Sequence, residues 1–274
     1  MASTSDRADV PPDTTACDEL RHAIDNGELA AWYQPVIRLS DGVVTGFEAF
    51  VRWPRPDGTT TPASDIIPLA ATCGLVSALD DWVRRDVFRQ LALWQHDALV
   101  SHGFHVAINM SGLELDDDAL PHRVTQAIDA AAVDPRGLVI ELTDTNRIKD
   151  VTTAKRVIAQ LRALGVDVAL DDVGSEHARF DLLRALPFNV LKIDRAVVEA
   201  SDTPIGAALT RALVELGQNL NVRIHAGGVE TIDQAERLRR LGCHDGQGFL
   251  WMPALPAHEA EQLLTACRPL HPHP

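Results

Sequence analysis

Hydrophobic and polar positions alternate along most of the chain in two rhythms. Short β-rich runs occupy 31–39 (AWYQPVIRL), 43–53 (VVTGFEAFVRW), 105–111 (HVAINMS), 138–144 (LVIELTD), 166–173 (VDVALDDV), 189–194 (NVLKID), 222–228 (VRIHAGG) and 245–251 (DGQGFLW). Between them, apolar residues recur at spacings of three and four, as in Leu209, Leu213, Leu216 and Leu220. That period predicts helices over 78–94, 121–131, 153–164, 180–185, 205–220 and 232–241. Thr231 stands where an N-cap belongs, and Gly165 and Gly242 follow two of these helices. Asp41-Gly42 predicts a hairpin turn between the first two runs. The rest reads strand–helix–strand, which implies parallel strands covered by helices. Eight strands predict a closed α/β barrel, opened by an antiparallel first strand.

Residues 1–16 are polar, contain Pro11 and Pro12, and have no periodicity, so a disordered tail is expected there. A single domain is expected over 17–267, followed by a tail over 268–274 in which His271 and His273 carry no more than terminal disorder. No linker or low-complexity run divides the interior.

The 274 residues are 46% apolar and 23% charged, the composition of a globular protein. Lys plus Arg is 25 and Asp plus Glu is 39, so the formal charge is −14. Such a chain is a poor non-specific binder of DNA, RNA or anionic membrane. The weakly polar stretches 66–79 and 98–113 are too short to span a bilayer. The N-terminus lacks the basic and apolar regions of a secretory signal. Cys17, Cys73, Cys243 and Cys267 are scattered and form no CxxC pair, so reduced thiols and a cytoplasmic location are expected.

Nearly every β-rich run ends, on its C-terminal side, in a residue able to bind a metal or move a proton. These are Glu48, Asn109, Glu141, Asp171 with Asp172, Lys192 and Gln247. A buried carboxylate costs several kcal/mol unless paired or metal-bound, and a series at corresponding strand ends would gather round one mouth. A divalent cation relieves their repulsion, and hard oxygen ligands favour Mg²⁺ or Mn²⁺. Adjacent Asp171 and Asp172 would point to opposite faces in mid-strand. At a strand end, with Gly174 letting the chain turn, both can reach one site, and Asp171 could bridge two ions in an arrangement suited to phosphodiester cleavage.

The stretches WYQPVIRLSDGVVTGFEAFVRW, INMSGLEL, IELTDT, ALDDVGS, LRALPFNVLKIDRAVV, AGGVET and LGCHDGQGFLWMPALP together resemble the EAL domain, the cyclic-di-GMP phosphodiesterase module of bacterial signalling. The resemblance covers about residues 25–265. It implies a modified TIM (β/α)8 barrel that opens cyclic di-GMP to linear pGpG with Mg²⁺ or Mn²⁺. By motif, Glu48, Asn109, Glu141 and Asp171 match the first-metal ligands and Asp172 the second. Lys192 matches a lysine contacting water or phosphate. Glu230 matches a glutamate that helps hold the metal loop. Arg52 would contact substrate phosphate, Gln247 lies near the site, and Gln34 lies in a segment resembling a guanine-contacting strand.

The departures bear on activity. Phe50 replaces the signature leucine, and Asp144 stands one methylene short of the family's glutamate. The loop after the aspartates reads Val173-Gly174-Ser175-Glu176-His177-Ala178-Arg179 where the family reads like FGTGYSS. Above all, AGGVET has Gly227 where the family's AEGVET has its general-base candidate. Losing a positioned base typically costs about 10²–10⁴-fold in rate. Alternation puts His225 on the same side as Gly227, some 7 Å deeper at roughly 3.3 Å per residue, where a packed core histidine outweighs a substitute base. Glu176 is read as a solvated loop charge, and Trp53 and Phe50 as core or site wall.

Three functions remain open at this level: a degenerate EAL domain that binds cyclic di-GMP with one metal ion rather than two and little or no hydrolysis; a weakly active phosphodiesterase; and a protein-interaction module without nucleotide binding. A homodimer or a regulatory protein is the further partner such a module allows.

Overall fold

The computed structural model describes residues 14–175, 179–266 and 269–270. Glu176, His177, Cys267, His271, His273 and residues 1–13 of the expected N-terminal tail lie outside the described residues. The elements run α1 (Thr14–Asp25), β1 (Ala30–Arg38), β2 (Val44–Pro54), β3 (Thr60–Pro62), α2 (Ala63–Thr72), α3 (Val76–His96), β4 (His105–Ser111), α4 (Leu120–Ala131), β5 (Leu138–Thr143), α5 (Val151–Ala163), β6 (Asp167–Val173), α6 (Phe180–Ala185), β7 (Val190–Ile193), α7 (Arg195–Glu199), α8 (Pro204–Asn219), β8 (Arg223–Ala226), α9 (Ile232–Leu241), β9 (Asp245–Gly246), β10 (Leu255–Pro256) and α10 (Ala257–Ala266).

The chain divides into two compact units, residues 31–50 with 83–274, and residues 1–30 with 51–82. The larger unit is a closed barrel. Its strand order is β1-β9-β8-β7-β6-β5-β4-β2, and a β1–β2 pairing closes the ring. β1 is antiparallel to β9, and β2 through β9 run parallel round the ring. The predicted hairpin turn is present: Arg38 N–H donates to Val43 O at 2.8 Å, Gly42 takes φ 74°, and the Asp41 carboxylate accepts from Val43 N–H.

Strand alternation sorts the side chains. Phe47 on β2 packs outward with Trp94 of α3 at 5.4 Å between ring centroids, and Tyr33 joins them at 4.9 Å from Trp94. On the other face, Ala107, Val139, Ala169 and Val190, one from each of β4 to β7, form a separate buried cluster. This is a floor of small residues inside the barrel. Two residues further along the same strands stand Asn109, Glu141, Asp171 and Lys192. The period of two places each of them on the floor's face, one layer nearer the C-terminal end.

The smaller unit contains α1, β3 and α2. Its helices α1 and α2 are joined by a Cys17–Cys73 disulfide with Cα atoms 5.4 Å apart. The expectation of reduced thiols is therefore corrected for this pair: a sequence separation of 56 says nothing about distance in the fold. Cys243 is a free, buried thiol. Helix α1 begins at Thr14, inside the stretch expected to be tail. Arg55 lies 3.3 Å over the Trp53 ring, donates to Thr61 Oγ1 at 3.1 Å and pairs with Glu19 at 3.5 Å.

The run 245–251 is strand only over Asp245–Gly246. A Cβ at Gly248 would meet Val229 O at 2.0 Å, so the backbone is pressed against its neighbour there. The chain then turns, with Trp251 N–H donating to Gly248 O at 3.2 Å. No described helix is long and apolar enough to cross a membrane.

Candidate active site

The middle of β2, where Glu48 stands rather than at the strand end expected from sequence, and the C-terminal halves of β5, β6 and β7 bring three carboxylates onto one ammonium. Lys192 Nζ donates to Glu48 Oε2 at 3.1 Å, to Asp171 Oδ2 at 3.2 Å and to Glu141 Oε2. Asn109 Nδ2 donates to Glu48 Oε1 at 2.8 Å. Glu48, Glu141 and Lys192 are each at most 5% exposed. Three carboxylates against one ammonium leave a formal charge of −2, and burial makes that charge expensive.

The titration of the cluster reflects this imbalance. Burial pushes Glu48 up, but the Lys192 ammonium and the Asn109 amide outweigh it and hold Glu48 below the ordinary range. Burial and then the Glu48 charge push Glu141 well above the usual carboxylate value. Burial also raises Asp171, against the pull of Lys192. For Lys192, burial disfavours the charge, yet Asp171, Glu141 and Glu48 together raise it well above its normal value. The group is an ammonium caged by acids, with charge to spare for a further cation.

Asp171 and Asp172 both line one cavity of about 410 Å³, with Gln34, Glu48, Lys192, Gly227, Glu230 and Gln247. The device that turns both aspartates toward it is the bulge between Leu170 and Val173, where Asp172 itself adopts a left-handed backbone at φ 55°. Aspartate is among the few non-glycine residues that tolerate this region. The turn was expected from Gly174 alone, which is also left-handed at φ 100°. Asp172 N–H donates to Asp171 Oδ1 at 2.8 Å. Burial and then the Asp171 charge push the Asp172 carboxyl to about 6. A second cavity of about 480 Å³ shares Asp171, Asp172 and Asp194 and extends past Asp144, Ser175 and Arg179.

The remaining sequence-predicted residues are placed as follows. Glu230 is on the cavity wall and pairs with Arg195 at 2.8 Å. Gln247 donates to Gln34 Oε1 at 3.0 Å, and Gln34 in turn donates to Met252 O at 3.0 Å, so both amides fasten the wall. Arg52 is half-buried at the end of β2, donates to Val51 O at 3.1 Å, and has its guanidinium pKa lowered by burial. Asp144 is left-handed at φ 48° and lines the second cavity. Phe50 forms wall, and Trp53 is buried. Asp194, Arg195 and Phe249 also line the first cavity and were not singled out from sequence.

At Gly227 the wall is open. A Cβ there would meet nothing nearer than Ile193 O at 3.6 Å, and the backbone is in an ordinary region. Gly228 is the opposite case: φ is 68° and a Cβ would lie 2.3 Å from Arg195 Cγ. The second glycine is required by its surroundings and the first is not. His225, one layer deeper, is in register with both Lys192 and Asp245. It is 4% exposed and its Nε2 has no hydrogen-bond partner. Burial and then the Lys192 charge lower it to about 3. A ring so reluctant to take a proton is a poor base at neutral pH.

Among the described residues, no group of three or more His, Cys, Asp or Glu side chains is arranged as a ready metal centre. The physical reason is Lys192, whose Nζ occupies the point on which Glu48, Glu141 and Asp171 converge. The donor set itself is all hard oxygen with excess negative charge, which fits a divalent cation of the Mg²⁺ type.

Comparison with known proteins identifies the class. The family model for the EAL domain matches residues 17–254. The chain is 35% identical over 250 residues to the bifunctional diguanylate cyclase/cyclic di-GMP phosphodiesterase MucR of Pseudomonas aeruginosa, covering 90% of this chain and 36% of MucR. It is 33% identical over 242 residues to the probable cyclic di-GMP phosphodiesterase PdeB of Escherichia coli, covering 88% of this chain and 45% of PdeB. The solved structure of PaMucR phosphodiesterase in complex with c-di-GMP superposes with a TM-score of 0.82 at 33% identity, over 90% of this chain and 99% of that one. The EAL domain of Mycobacterium smegmatis DcpA gives a TM-score of 0.73 at 28% identity, over 88% of this chain and 98% of that one. The chain belongs to the EAL domain family. It spans less than half the length of these two curated relatives.

Proposed function

We propose that this chain is a degenerate EAL domain that binds cyclic di-GMP together with one divalent cation, Mg²⁺ or Mn²⁺, and hydrolyses it poorly or not at all. The relatives' substrate and the caged acids support the binding half of this reading. Glu48, Asn109, Glu141 and Asp171 would hold the cation, which would supply charge to neutralise a phosphate. Lys192 would give up part of its acid cage and turn its ammonium to the phosphate or attacking water, and Asp172 would lie toward a second ion. Glu230 would keep the wall in place through Arg195, and Arg52, Gln34 and Gln247 would meet or frame the nucleotide.

One observation carries the impaired half: the unfilled space at Gly227, where the family places a carboxylate and nothing in the backbone forbids one. His225 is a poor replacement, because it is a buried ring lowered to about 3. The second reading, a weak phosphodiesterase, is favoured by the intact Lys192 cluster. The cytoplasm is the proposed compartment, and the Cys17–Cys73 bridge would then form under oxidising conditions. Further partners are a second copy of the chain or a regulatory protein.

Calorimetry with cyclic di-GMP and Ca²⁺ tests binding, and the proposal requires a heat change. Its absence at high protein concentration would leave only a protein-interaction module. Incubation with Mn²⁺ and chromatography for pGpG tests turnover. A rate like that of ordinary hydrolases would overturn the impaired reading.

A further inference from the structure

The rim of the barrel opposite the acid cluster carries cations instead. There β1 ends at Arg38, and β9, antiparallel to it, begins at Asp245. The neighbouring β8 begins at Arg223. A cavity of about 570 Å³ opens at these ends and is lined by Arg38, Arg223, Arg239 and His244. It shares no lining residue with the two cavities at the mouth. Three arginines in one cavity run against the −14 formal charge of the chain.

The three are not equivalent. Arg38 pairs with Asp41 at 2.9 Å. Arg223 donates through Nη2 to the buried Asp245 Oδ1 at 3.0 Å. Arg239 stands in the last turn of α9 and lines both this cavity and an adjoining one of about 450 Å³. Among the described residues, nothing accepts from its guanidinium. A cation in that turn suits the helix dipole, but Arg240 already serves there, its Nε donating to Glu236 O at 3.2 Å. The five donors of Arg239 are therefore available to a ligand. His244 adds a sixth. Its Nδ1 accepts Ile224 N–H at 3.1 Å, which leaves the ring proton on Nε2. The residue is held from both sides: His244 N–H donates to Ile224 O at 3.1 Å, and Leu39 N–H donates to His244 O at 3.0 Å.

We propose that this cavity is a phosphate site for a phosphorylated small molecule, with Arg239 and His244 as its donors. A guanidinium fork meets two phosphate oxygens at once. Arg38 and Arg223 keep their carboxylate partners and help to set the local field. Asp245 does not stand against the ligand, because it is buried and already paired with Arg223. The site is independent of the cyclic-di-GMP reading.

Calorimetry with inorganic pyrophosphate tests it on the wild type, Arg239→Ala and Arg240→Ala. The full chain is used free of metal, so that no cation at the mouth can bridge the anion. The wild type should bind at millimolar concentration or below. Arg239→Ala should bind roughly ten- to a hundredfold more weakly. Arg240→Ala removes the same charge one residue away and should stay within about threefold. No heat from the wild type, or equal binding by Arg239→Ala, would overturn the site. Equal weakening in both variants would reduce the effect to net charge and overturn it as well.

Discussion

Two stretches of the barrel rim face the same cavity and are built in opposite ways. On one, β2, β4, β5, β6 and β7 deliver Glu48, Asn109, Glu141, Asp171 and Lys192 into a buried network in which every member has a partner. On the other, just beyond β8, Gly227 leaves space where a side chain would fit. The first cannot lose a member cheaply, because each charge depends on the others. The second can gain one, because nothing there would have to move. In the proposed reading, binding and hydrolysis make separable demands on this fold: the acid network would hold a cation that meets phosphate, and position 227 lacks the carboxylate expected to take up a proton.

The largest expected effect comes from filling the gap. Gly227→Glu should raise pGpG production by about 10²–10⁴-fold if the missing base is the main defect. A flat result in a variant that still binds cyclic di-GMP would place a second defect in the 175–179 loop.

Lys192→Met attacks the intact stretch instead. It strands three buried carboxylates and should destabilise the metal-free protein by about 3–5 kcal/mol in urea titration. Added Mg²⁺ should return part of that loss by binding only the folded form. A variant as stable as wild type without metal would show that the ammonium is not the counter-ion described above.

The smaller unit supplies a contrast held by a covalent bond. Replacing Cys17 and Cys73 by Ser, or reducing the bridge, should lower stability by about 2–4 kcal/mol. Intact mass under non-reducing conditions should show the two-hydrogen difference on reduction, and an unchanged mass would remove the bridge from the account.

The smallest effect concerns the residue beside Lys192 on β8. His225 is lowered to about 3 by burial and then the Lys192 charge, against an unfolded value near 6.5. Between these values the unfolded chain binds more protons, so stability falls as pH falls. The group's contribution is complete above about 6.5 and, by pH 5, has shrunk by about 2 kcal/mol. His225→Leu should therefore lose less stability than wild type between pH 7 and pH 5. Equal losses would mean that the ring takes up its proton in the fold.

Much of this was legible in the sequence because it follows period-two strands. Asn109, Glu141, Asp171 and Lys192 each stand toward the end of a β-rich run, while the floor of Ala107, Val139, Ala169 and Val190 two positions before them emerged only from the fold. The rest was hidden for physical reasons. β3 and β10 are two or three residues long and show no alternation. Helix α2 carries an internal Pro68 and reads as a break. The run ending in Phe249-Leu250-Trp251 looks like strand, but Gly248 packs too closely on Val229 for the strand to continue. At the site, the left-handed Asp172 and the convergence of three acids on Lys192 depend on tertiary contacts that no spacing encodes. The resemblance located Gly227, and only the coordinates show that the space beside it is free.

In the proposed reading, the carboxylate absent at position 227 would also have served the second ion, so the site would hold one divalent cation rather than two. Counting Mn²⁺ bound per chain in the presence of saturating cyclic di-GMP tests this most directly, on the wild type and on Gly227→Glu. One ion in the wild type and two in the variant is the predicted result. Two ions already bound to the wild type would contradict it.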